Sequence, residues 1–251
     1  MKPKTKKLTV IALSVGLLGL CLRLLLYRIG FDEKNILSSS HPLHLACLAL
    51  TVLTAVYLAV SLVSPRGGKV TAGTSPRAPF VCPVLLAAAA FTLLHGLELT
   101  RKSGDLLDTA RMVLAFLGAG SMVLLALPGR NRRLRTVALG IISVFYALDM
   151  FCRYPDWSGN PQLPDYVFQV FACVLLALTG YHRLAFHVGL SKGRMLQFCS
   201  LMSLVLCLFC SAGPDTRAFY LGSACWAAVC ICVSELPAQS CPHKQDPDDD
   251  E

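Results

Sequence analysis

Apolar residues run through this chain in stretches of about 20, separated by short polar segments, and none shows the alternation that a barrel strand requires. The stretches cover roughly residues 8–29, 43–63, 80–99, 108–127, 136–153, 166–187, 195–212 and 218–236. At 1.5 Å per residue, about 20 residues of helix cross a hydrocarbon layer of about 30 Å. Lipid offers backbone groups no water, so each crossing has to close its own hydrogen bonds, as a helix does. The pattern predicts an all-α, polytopic integral membrane bundle of about eight transmembrane helices over residues 1–236.

The breaks between stretches carry turn chemistry: SPRGGKVTAGTSPRAP at 64–79, PGRNRR at 128–133, PDWSGNPQLPD at 155–165 and AGPDTR at 212–217. They are short, and none holds an inserted soluble domain. The tail at 237–251, PAQSCPHKQDPDDDE, is too polar and proline-rich to fold by itself, which predicts a disordered, acidic, cytoplasmic tail. The basic head MKPKTKK followed by apolar residues has the outline of a signal peptide, but the apolar part is too long and no small-residue cleavage site follows it. Leu20 before Cys21 also departs from a lipoprotein signal. The first stretch therefore reads as an uncleaved span.

Composition agrees. Of 251 residues 55% are hydrophobic and 15% charged, with a mean hydropathy of +0.58, whereas an ordinary globular chain is about 25% charged. The net charge of +8 raises nucleic acid as a partner, but the Lys and Arg residues are dispersed over the interhelical segments with no aromatics interleaved as a single-strand groove needs. Nucleic acid is excluded, and anionic membrane lipids are the partner these cations fit. With the N-terminus on the cytoplasmic side, fifteen of the 23 Lys and Arg fall on that side and six on the other. The positive-inside rule thus places both termini inside.

Ionisable residues collect at one level of the spans. His95 and Glu98 end the third, Asp108 and Arg111 open the fourth, Asp149 lies near the end of the fifth, and His41 and His44 open the second, with Tyr146, Tyr166 and Gln169 near the same depth. Arg23 lies about 10 Å below the end of the first span. In the assigned orientation all of these face outward. Ionisable groups within spans are costly and mark ligand or proton pathways, so Arg23, His95, Glu98, Arg111 and Asp149 are the candidate ligand-binding residues of an outward vestibule. Arg23 has no acid within a turn of its own helix, which calls for Glu98 or Asp149 as its partner. The competing explanation is local: Glu98 with Lys102, Asp108 with Arg111, and Asp149 with Arg153 have the spacing of helix ion pairs, and long side chains at an interface reach water.

Most of the twelve cysteines lie inside apolar stretches and read as small packing residues. Cys207 and Cys210, with Cys152 at a similar depth, are the candidates for a thiol oxidoreductase, although a pair three apart within a helix bonds poorly and no cation neighbours them in sequence. His182 and His187 are five apart, which is not the spacing that puts two metal ligands on one helix face. No zinc-binding HExxH, Ser-His or paired-aspartate signature occurs, so neither a catalytic residue, a metal nor a cofactor is expected. Gly16 with Gly19, Ala115 with Ala119, and Ala224 with Ala228 allow close helix approach and predict a packed bundle.

The stretch LRLLLYRIGFDEKNILSSSHPLHL at 22–45 is a span ending in Tyr-Arg, an acidic turn, and His-Pro before the next span. It resembles uncharacterised multi-spanning bacterial membrane proteins. The resemblance covers two helices and implies a multi-pass protein of a bacterial cytoplasmic membrane, with no activity attached. The function expected from the residues is binding or transport of a small polar solute through the outward cluster. The alternatives are a structural or accessory subunit that binds lipid or a partner membrane protein, and an embedded thiol oxidoreductase.

Overall fold

The computed structural model describes residues 3–29, 41–63, 80–102, 106–127, 131–158, 163–190, 193–213 and 216–234. The expected acidic tail and the connection at 64–79 lie outside these residues. Eight helices follow in order: α1 (Pro3–Ile29), α2 (Pro42–Val63), α3 (Val81–Lys102), α4 (Leu106–Ala126), α5 (Arg132–Ser158), α6 (Leu163–Val188), α7 (Gly193–Cys210) and α8 (Arg217–Ser234). Among the described residues there is no strand. Every helix is long and apolar enough to cross a membrane, and the chain is a polytopic, multi-pass membrane protein.

Local signals set the helix ends. Pro42 opens α2, where a missing N–H costs nothing, and the His41 Nδ1 accepts from the Leu43 amide at 3.3 Å. Asn131 caps α5 in the same way, its Oδ1 accepting from the Arg133 amide at 3.4 Å. At the end of α6, Gly189 takes φ 93°, and the Leu190 amide reaches back to the Ala185 carbonyl at 2.8 Å. That left-handed residue closes the helix without the strain a Cβ would add.

The segment 155–165 departs from its expectation as one loop, because α5 continues to Ser158 and α6 begins at Leu163. Proline punctuates less sharply here than the sequence suggests. Pro164 occupies the first turn of α6, where no intrahelical N–H is needed, and Pro155 falls in the last turns of α5, where water can serve the carbonyl left without a donor. Likewise α1 starts at Pro3, well before the apolar stretch does.

Successive helices alternate in direction, and α7 and α8 form the centre. α7 packs against α1, α2, α6 and α8, while α8 packs against α3, α6 and α7, and α3 to α6 form a consecutive row around it. Of the residues in the apolar window of α7, 83% are buried, against 17% for the peripheral α2. Side chains such as Leu53, Val60 and Phe151 point outward, each about two-thirds exposed. A soluble protein does not carry such a belt of apolar surface, whereas lipid accommodates it.

The small-residue pattern on α1 has its expected use. A Cβ on Gly19 would run into the Phe209 ring of α7, and one on Gly16 would meet Leu208 Cδ1 at 2.6 Å. Ala115 and Ala119 are buried on α4, as is Ala224 on α8. At the N-terminal end of the bundle, Gln197 Nε2 of α7 donates to Thr5 Oγ1 of α1 at 2.9 Å. Because α8 runs antiparallel to α7, its C-terminal residue Ser234 lies at that same end.

Candidate functional site

The polar residues singled out from the sequence lie at the opposite end, on the last turns of α1, α3 and α5 and the first turns of α2 and α4. Three helices build the main cluster. Asp108 sits in the first turn of α4, where the helix dipole favours a negative charge, and Arg111 follows one turn later. On α5, Asp149 precedes Arg153 by four residues, the favoured order for an ion pair on one helix face. α3 supplies His95 and Glu98.

Asp149 is the centre of the cluster. It is 1% exposed, and its two oxygens are taken by different guanidinium groups: Oδ2 accepts from Arg153 Nε at 2.6 Å, and Oδ1 from Arg111 Nε at 3.4 Å. Arg111 also donates through NH1 to Asp108 Oδ1 at 3.1 Å. Arg153 reaches His95 Nε2 through NH2 at 3.3 Å. A guanidinium can only donate, so Nε2 is the acceptor here and the ring proton is on Nδ1. That nitrogen faces Glu98 Oε2 at 4.0 Å, too far for a direct hydrogen bond.

α8 closes the cluster from the bundle interior. The Phe219 ring lies 4.2 Å from the Arg153 guanidinium carbon, with Tyr220 at 5.9 Å, and His95 packs on the same Phe219 at 5.1 Å between centroids. These π faces meet the desolvated cation where a hydrogen-bond acceptor does not. Tyr220 in turn places its hydroxyl 4.0 Å from Cys173 Sγ of α6.

The result is a polar string from Glu98 through His95, Arg153, Asp149 and Arg111 to Asp108. Both ends reach outward, since the Glu98 side chain is 50% exposed and that of Asp108 29%, while the middle is enclosed. Guanidinium groups do not release protons near neutrality, so two arginines in the string interrupt any proton path along it. What the string offers is fixed positive charge at depth, with acids at the rim.

Of the sequence candidates, His95, Arg111 and Asp149 meet in this cluster, and Glu98 stands at its edge. Arg23 stands elsewhere. Its NH2 donates to Tyr27 Oη at 3.2 Å, and its guanidinium lies over the rings of Tyr27 and Phe168, at 5.6 and 5.1 Å. His44 meets the edge of that same Phe168 at 5.6 Å. Asp149, expected as a partner for Arg23, is instead held by Arg111 and Arg153, because α5 packs beside α4 and α6 and does not pack on α1. The local pairs Asp108–Arg111 and Asp149–Arg153 both form. Arg153, assigned from charge counting to the outer loops, is 3% exposed and joins the cluster. Its four-residue spacing from Asp149 was a usable signal, whereas nothing in the sequence marks Phe219 or Tyr220 as its cover.

Cys207 and Cys210 are both enclosed in the core of α7, while Cys152 is partly exposed on α5. Among the described residues, no group of three His, Cys, Asp or Glu side chains is placed to hold a metal ion. Comparison with protein-family models, curated proteins and solved structures gives no match to this chain.

Proposed function

We propose that this protein binds, and in a transport cycle passes, a small anionic solute bearing a carboxylate or phosphate group, at the Arg111–Asp149–Arg153–His95 cluster. One observation supports this above the others: a single buried carboxylate accepts from two buried guanidinium groups, one on each oxygen. The balancing acid, Asp108, is partly exposed and reaches Arg111 from the rim. A solute anion can take the place of Asp108 on Arg111 at little cost, because Asp108 already borders water. Buried ion networks are not efficient stabilisers, since apolar replacements of similar volume are often neutral or better. Their retention within spans marks solute pathways.

The test is thermal unfolding of the purified full chain in uncharged detergent, with succinate or inorganic phosphate against chloride at matched ionic strength. A bound anion raises the midpoint by mass action. We expect that rise in the unaltered protein, its loss in Arg111→Gln, and its enhancement in Asp108→Asn, where the competing acid is gone. Equal midpoints in all three salts, or a rise that survives Arg111→Gln, would sink the proposal.

The second reading is a structural one, favoured by the fact that the same contacts tie α3, α4, α5 and α8 together. It predicts no anion response in any variant. The triple replacement Arg111→Met, Asp149→Leu and Arg153→Met separates the two: a folded triple variant without the response supports binding, and an unaltered response removes it.

A further inference from the structure

Charge is the difficulty that an anion meets at this cluster. The polar string carries three carboxylates, Glu98, Asp149 and Asp108, against two guanidinium groups, Arg111 and Arg153. With His95 neutral the string holds one negative charge in excess, and a solute anion adds to it. Like charges repel more strongly where water is excluded. Such a site takes an anion more readily when a proton arrives with it.

His95 is the group placed to take that proton. It is 2% exposed, and both of its ring nitrogens face charged side chains. On its own helix, Glu98 Oε2 lies 4.0 Å from Nδ1. From α5, Arg153 Nη2 donates to Nε2 at 3.3 Å, with Asp149 behind it on Arg153 Nε. From α4, Arg111 and Asp108 follow beyond Asp149. α8 presents the Phe219 ring at 5.1 Å between centroids, next to Tyr220.

Nε2 can accept from Arg153 only while the ring is neutral, because both nitrogens of an imidazolium are donors. When Nε2 takes a proton from water, Nδ1 keeps its own and the bond to Arg153 is lost. The guanidinium stays anchored, since its Nε remains on Asp149, but Nη2 is released to donate elsewhere. The new Nε2–H and the freed Nη2 then offer an anion two donors side by side. On the other edge, Nδ1–H faces the Glu98 carboxylate, whose side chain is half exposed and opens the ring to water on that side. The proton goes no further along the string, because arginine does not relay it.

We propose that His95 is a proton-binding site coupled to the solute site: protonation of its Nε2 frees the Arg153 Nη2 donor, and the solute anion binds together with one proton. The inference rests on the anion reading of the cluster and adds the proton as the second ligand.

The test is the apparent Kd for succinate, from the dependence of the thermal midpoint on succinate concentration against chloride at matched ionic strength. It is measured on the full chain in uncharged detergent at about pH 6.5, where an ordinary imidazole is half protonated, and at about pH 8.5, where it is neutral. Succinate is almost wholly the dianion at both. Binding should be at least about fivefold tighter at the lower pH, the smaller end of the usual coupling between two sites. His95→Gln keeps an acceptor for Arg153 but cannot be protonated, so its affinity should stay at the weak level at both pH values. Because that variant can fail to fold, proton uptake by the unaltered protein is measured as well. Succinate added near pH 7 in weak buffer should draw protons from solution, read with an indicator dye, and chloride should not. Equal affinity at the two pH values, or binding without proton uptake, overturns the coupling and leaves the anion site standing. A pH dependence that His95→Gln keeps and Glu98→Gln loses would put the proton on the carboxylate and also overturn it. No midpoint rise at either pH removes the anion site, and the coupling with it.

Discussion

Asp149 carries more of the cluster's electrostatics than any other residue, and its replacement gives the sharpest stability prediction. Asp149→Asn leaves two enclosed guanidinium groups against a neutral amide, so we expect a loss of about 3–5 kcal/mol, read as a marked fall in the thermal midpoint in detergent. Arg153→Lys keeps the charge but loses the planar group that lies on Phe219 while bonding both Asp149 and His95, for a smaller loss of about 1 kcal/mol. If the two variants unfold together, the guanidinium plane contributes nothing and the stacking on Phe219 is incidental. The ion pairs within a helix were legible in the sequence, because three- and four-residue spacings fix which side chains share a face. The partners across helices were not, as the different settings of Arg23 and Arg111 show. Both are arginines inside apolar stretches near the same end of the bundle, yet one meets aromatic rings and the other a buried carboxylate.

Helices were the most legible scale, since backbone hydrogen bonding in lipid leaves no other form for an apolar stretch of this length. Their ends were less so. Proline and glycine predicted a loop at 155–165, yet its described residues, 155–158 and 163–165, are helical, because helix termini near the interface tolerate a missing donor. The glycines of α1 were read correctly as contact residues, but only the fold names their partner as α7. Gly19→Val should force α1 away from Phe209 and cost about 1–3 kcal/mol, whereas the same change at Gly120, which faces open space, should be silent or slightly stabilising, because valine is a better helix former than glycine. Comparing the two midpoints checks this directly. Similar falls would mean that the α1–α7 approach is not close in the membrane-embedded protein.

Taken as a whole, the bundle has two unlike ends, one with an enclosed network of acids and bases, the other where Gln197 of α7 meets Thr5 of α1. Eight crossings among the described residues put Pro3 and Ser234 at one end of the bundle, and we propose from the count of Lys and Arg that this end faces the cytoplasm. Reporter domains fused at either terminus, one active only inside and one only outside, should both give the inside signal. Opposite signals would require an odd number of crossings. The sequence by itself determined the eight apolar helices and their approximate places along the chain, because bilayer thickness sets how long a crossing must be and lipid demands a closed backbone. Tertiary structure alone decided that α7 and α8 are central, that Arg153 is enclosed, and that Asp149 is shared by Arg111 and Arg153 while Arg23 stacks on Phe168. The physical reason is that lipid is as apolar as the helix surfaces it meets, so hydrophobicity inserts a helix without choosing its neighbours. That choice rests on side-chain packing and polar contacts between residues far apart in the chain, and no local pattern records them.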